Sequence, residues 1–93
     1  MIPTLKMFAV VEGVALTQRE SEVLALLVMG LKTRGLQPSQ REIAQSLQIG
    51  YWSWIHKVFN SLRDKGVIDW VHGTSRTVTI LKPVKLDFEE VAA

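Results

Sequence analysis

Cysteine is absent from this chain, which excludes disulfides and a structural zinc held by thiolates. The absence fits a reducing compartment, and a cytoplasmic location is expected. Histidine is nearly as scarce. His56 and His72 fall on different expected elements with no acidic cluster beside either, so neither a metal site nor a nucleophile with its paired base can be assembled. No catalytic residue, metal ligand or cofactor is therefore expected. Long hydrophobic runs are missing too. The stretch Leu5-Lys6-Met7-Phe8-Ala9-Val10-Val11 is broken by Glu12 and Gly13, far short of the ~20 residues that span a bilayer, and it lacks the small-residue cleavage site of a signal peptide. No membrane partner is expected.

Net charge is small as well, +2, but unevenly spread. Residues 1–85 hold eleven Lys or Arg against six Asp or Glu, a balance of +5, whereas Asp87, Glu89 and Glu90 bring the tail to −3. The body is basic enough to favour a polyanion without carrying a strong footprint. What the chain does have is apolar content, 47% hydrophobic over 93 residues, enough for one continuous core that needs no cross-link.

Punctuation divides the chain. Thr17-Gln18-Arg19-Glu20 is a capping box, in which the threonine oxygen accepts from the glutamate backbone and the carboxylate reaches back to the threonine N–H. Val23, Leu24, Leu27, Val28 and Leu31 then recur at helical spacing until Gly35 and Pro38, which predicts a helix from about Gln18 to Arg34. Ser39-Gln40-Arg41-Glu42 is a second capping box, opening a short helix with Ile43, Ala44 and Leu47 inward and Ala44 suited to a close crossing. Gln48-Ile49-Gly50 turns the chain. A third helix runs from about Trp52 to Lys65, with Gly66 at its end and Ile55, Val58, Phe59 and Leu62 as its buried stripe. At 100° per residue, Ser53, His56, Lys57, Asn60 and Asp64 fall on the opposite side, flanked by Trp54 and Arg63.

After Gly66 the period changes. Val67, Ile68, Trp70 and Val71, the turn residues His72-Gly73-Thr74-Ser75, and the β-branched run Thr77-Val78-Thr79-Ile80 read as a hairpin with Ser75 and Arg76 near its tip. Three helices and a ribbon in this order predict a mainly α fold with a small β-ribbon, a three-helix winged helix-turn-helix. The divisions expected are an N-terminal apolar arm over 1–15, the winged domain over 16–81 and an acidic C-terminal tail over 82–93.

Particular residues narrow this further. Leu16-Thr17 with Gln18 and Glu22-Val23, Pro38-Ser39 with Arg41-Glu42-Ile43-Ala44-Gln45, Leu62 with Lys65-Gly66-Val67-Ile68, and Gly73, Ser75-Arg76 and Ile80-Leu81 resemble the N-terminal DNA-binding domain of the LexA repressor family. The resemblance covers about two-thirds of the chain. It implies a third helix laid in the major groove, a second helix braced on the backbone and a wing on phosphate.

Two departures from the family matter. Members usually continue into a self-cleaving serine/lysine peptidase domain that also dimerises, and twelve residues after the wing leave no room for it, so neither the dyad nor autocleavage is expected. The third helix is also entered differently, by Gly50-Tyr51-Trp52-Ser53-Trp54 where the family typically has a small polar segment of the Arg-Ser-Pro-Asn kind. By matched position, Tyr51, Ser53, Trp54, His56 and Lys57 replace the residues that would meet bases or phosphates. His56 and Lys57 stand at positions acidic in the family, which favours phosphate attraction and changes base choice.

The favoured reading is a sequence-specific double-stranded DNA-binding protein, a transcriptional regulator. Its candidate contacts are Ser39, Arg41, Tyr51, Ser53, Trp54, His56, Lys57, Asn60, Ser75 and Arg76, with Arg41, Lys57 and Arg76 on phosphates and Ser53, His56 and Asn60 on bases. A single small domain makes limited contact, so a homodimer through the N-terminal arm or the C-terminal tail is expected to read two half-sites. The competing reading is a protein-binding module of the same fold, a phage-type inhibitor or accessory subunit using Trp52 and Trp54 as aromatic anchors. Trp70 is expected in the core between ribbon and helices.

Overall fold

The two capping boxes form and fix the helices they begin. In this computed structural model, which describes residues 4–35, 37–48, 50, 52–70 and 78–91, Thr17 and Glu20 exchange side-chain and backbone hydrogen bonds at 3.2 and 2.7 Å. They open helix α1, Gln18–Arg34, which ends at Gly35 in the left-handed conformation that glycine tolerates. Ser39 and Glu42 repeat the exchange at 3.1 Å in both directions and open α2, Gln40–Ser46. Gln48 then takes a positive φ of 56°, turning the chain toward α3, Trp52–Asp64.

The end of α3 is a full Schellman turn. The Gly66 N–H bonds to Arg63 O at 2.9 Å and the Val67 N–H to Leu62 O at 3.1 Å, while Val67 and Leu62 are both buried. This turn launches β2, Ile68–Asp69, which pairs antiparallel with β3, Thr79–Ile80, to form the base of the wing. The expected hairpin tip, with Gly73, Ser75 and Arg76, lies outside the described residues.

One core serves all three helices. Val23, Leu24 and Leu27 from α1, Ile43 and Ala44 from α2, Ile55, Val58, Phe59 and Leu62 from α3, and Val67, Ile68 and Val78 at the wing base are buried together. Leu47, expected inward, is half-buried against this cluster, and so is Trp70, which falls just past β2 rather than within it. The mainly helical winged helix-turn-helix read from the sequence is the fold observed.

A second sheet was not foreseen. The N-terminal arm forms β1, Thr4–Val10, and the acidic tail forms β4, Lys85–Val91, paired antiparallel over their full length from Thr4↔Val91 to Val10↔Lys85. Ala9 and Val11 enter the core, and Met7 and Leu86 pack against it; β1 lies against α1, and β4 is joined to the molecule through β1. The two ends of the chain, expected as separate spare segments, thus complete one element.

Candidate nucleic-acid interface

The buried stripe of α3 decides which of its residues meet solvent. With Ile55, Val58, Phe59 and Leu62 at 6% exposure or less, His56, Lys57 and Asn60 are turned outward and lie exposed. Positions 56, 57 and 60 are one, three and four residues apart, so they share one face as the sequence pattern predicts. Trp54 is 51% exposed beside them, a large apolar surface on an otherwise polar helix. The first turn of α3 holds no acidic residue, and Asp64 stands exposed at the far end. No carboxylate therefore opposes an anion at the partial positive end of the helix, and Lys57 follows in the second turn.

The second helix contributes by its start. Ser39 is half-buried, and its hydroxyl oxygen accepts from Glu42 N, so its role in the fold is that of a cap. Arg41 is exposed in the first turn of α2. Tyr51 lies outside the described residues, as do Ser75 and Arg76, and the Ser53 and Trp52 side chains fall outside the description although both residues belong to α3. Among the described residues, then, α3 brings Trp54, His56, Lys57 and Asn60 onto one surface.

Sequence reasoning missed what orients the wing. Arg63, read only as a flank residue, donates from Nε to Asp69 Oδ1 at 3.0 Å and from Nη2 to Trp70 O at 2.8 Å, with its guanidinium carbon 3.6 Å from the centre of the Trp70 ring. The same indole meets Phe59 in an edge-to-face contact, the ring centroids 5.7 Å apart. Trp70 is thus in contact with both a core aromatic and a cation. Just before β3, Gln37 takes both main-chain groups of Val78: its Oε1 accepts from the N–H at 2.8 Å, and its Nε2 donates to the carbonyl. An amide side chain here acts as a strand neighbour would. Arg63 offered a faint signal in its amphipathic position; Gln37 offered none.

A third arrangement ties the ends of α1 and α3. Glu20, 2% exposed, accepts from Lys65 Nζ at 2.6 Å and from the Ser61 hydroxyl while it caps α1, and Lys65 also donates to Ala15 O at 2.8 Å. Burial alone would raise its pKa, but the bonds from Lys65, Ser61 and Thr17 outweigh that and hold it at about 2. The group is a structural clasp behind the outward face of α3.

With this geometry goes a family. The LexA DNA binding domain family is matched over residues 14–77. The chain belongs to that family. Its LexA-type region is 35% identical over 75 residues to the LexA repressor of Aeromonas salmonicida (strain A449), covering 81% of this chain and 36% of that protein. The LexA repressor of Koribacter versatilis (strain Ellin345) is 30% identical over 70 residues, 75% of this chain and 33% of the relative. That of Tolumonas auensis (strain DSM 9187 / NBRC 110442 / TA 4) is 36% identical over 66 residues, 71% and 32%. The chain spans about a third of the length of these LexA relatives. The matched region runs from the bend before α1 to the wing, so β1 and β4 stand outside it.

Proposed function

We propose that this chain is a sequence-specific double-stranded DNA-binding protein, a cytoplasmic transcriptional regulator, with residues 16–81 as the DNA-binding unit. The observation that carries the reading is the exposed polar face of α3, His56, Lys57 and Asn60 with Trp54 at its margin, on a helix braced by the capped α2 in a LexA-type domain. In this reading α3 enters the major groove. Asn60 can bond an adenine edge bidentately, His56 can donate to a guanine acceptor, and Trp54 can cover a thymine methyl or a sugar. Ser53 joins them in base readout and Tyr51 stands at the groove entrance. Lys57, Arg41 and Ser39 meet phosphates from the two helices, and Ser75 and Arg76 do so from the wing.

The two kinds of contact separate in experiment. Lys57→Ala is expected to weaken binding to all duplexes alike and to lower the slope of log affinity against log salt by about one. Asn60→Ala is expected to cost about 1–3 kcal/mol on the preferred site and relax the choice at one base pair. Binding titrations over a salt series, on a preferred and a scrambled duplex, check both. Unchanged affinity and preference in both variants contradict the assignment of this face.

A further inference from the structure

The sheet of β1 and β4 has two edges, and they differ. Ala9 donates its N–H to Ser21 Oγ at 2.8 Å and accepts from the same hydroxyl at 2.6 Å. Its main-chain groups therefore point away from β4, toward α1. Bonded and non-bonded pairs alternate along an antiparallel ladder, so Ala9↔Leu86, Met7↔Phe88 and Leu5↔Glu90 are non-bonded pairs. It follows that the N–H and C=O groups of Leu86, Phe88 and Glu90 point off the outer edge of β4. The β1 edge is closed by α1 at Ala9; no other strand pairs with the β4 edge among the described residues. There the Phe88 N–H is held by the carboxylate of its neighbour Asp87 at 2.9 Å, a local bond that a ladder can replace. The Phe88 side chain is 54% exposed, on the same face as half-buried Leu86.

We propose that this edge pairs with the same edge of a second copy, β4 against β4, joining two ribbons into one four-stranded sheet. Charge selects the register. Pairing Phe88 with the partner's Phe88 sets Asp87 opposite the partner's Glu89 twice, and opposed like charges are destabilising. A shift of two residues pairs Leu86 with the partner's Phe88 and sets Lys85 opposite the partner's Glu89 on both sides of the axis. Only Asp87 then faces its own kind, at the two-fold axis itself. The outward groups of Leu86 and Phe88 are bonded, and Phe88 covers the partner's Leu86 on the apolar face. The pairing deepens the DNA-binding reading, because a two-fold pair of α3 helices reads two half-sites. It is measured without DNA, so its failure leaves that reading standing.

Sedimentation velocity of the 93-residue chain over a wide concentration range is the test, with two variants. Phe88→Pro removes an N–H that the β1 ladder does not use, so the fold survives while the dimer dissociation constant rises by about tenfold or more. Asp87→Cys, in a chain otherwise free of cysteine, cross-links to its own copy under mild oxidation, since a non-bonded pair at the axis brings the two Cα atoms to about 4.5 Å. Lys85→Cys, which faces position 89 and not itself, stays uncrosslinked. A wild-type chain that remains monomeric, a dimer indifferent to Phe88→Pro, or cross-linking at position 85 in place of 87 overturns the proposal.

Discussion

At the scale of single residues, Glu20 joins the start of α1 to the end of α3. It caps α1, accepts from Ser61 and pairs with Lys65, all from a site that is 2% exposed. Its folded pKa of about 2 lies below the ordinary 4.5, so the folded state binds its proton less readily than the unfolded chain does. The stabilisation is fully present above about pH 4.5 and is lost as pH falls toward 2, amounting to on the order of 3 kcal/mol at most. Urea unfolding midpoints should therefore drop between pH 5 and about pH 2 in the wild type. Glu20→Gln, which keeps an acceptor for the cap but removes the charge facing Lys65, should be less stable at neutral pH and lose less on acidification. Parallel pH profiles for the two proteins contradict this role.

Between elements, the joints matter more than the elements themselves. The wing base is tied at Asp69 and Trp70 by Arg63 and at Val78, just before β3, by Gln37, so side-chain bonds reinforce the turn and core contacts that set its direction. Gln37→Ala should leave the helices intact and release the Val78 N–H, whose hydrogen exchange should accelerate while amides in the middle of α1 keep their protection. Unchanged exchange at Val78 contradicts the clamp. The helices were legible in the sequence because their signals are local: Thr17 with Glu20, Ser39 with Glu42, and the spacing of Ile55, Val58, Phe59 and Leu62 each act within a few residues. The outward positions of His56, Lys57 and Asn60 follow from that same period. The clamp was not legible, since Gln37 and Val78 meet only once the core has formed. The β1–β4 ribbon was hidden for the same reason. Its strands come from opposite ends of the chain, and Asp87, Glu89 and Glu90 give β4 a composition poor in β-formers, so pattern alone reads it as a solvated tail.

For the molecule as a whole, two surfaces are laid out by one core. One is the polar face of α3, inside residues 14–77 that the LexA DNA binding domain family matches; the other is the β4 edge, outside those residues. If the first reads DNA and the second joins two copies, the preferred site is two-fold, and Phe88→Pro should reduce affinity for the full site far more than for a half-site. Base reading by α3 is tested by selection of duplexes from a random DNA pool with the purified 93-residue chain, at low and at near-physiological salt. A defined motif that survives the higher salt and is degraded at one position by Asn60→Ala is the expected result. Recovery of no motif, with binding that vanishes as salt rises, would leave only general attraction to phosphate and contradict a sequence-reading role for α3.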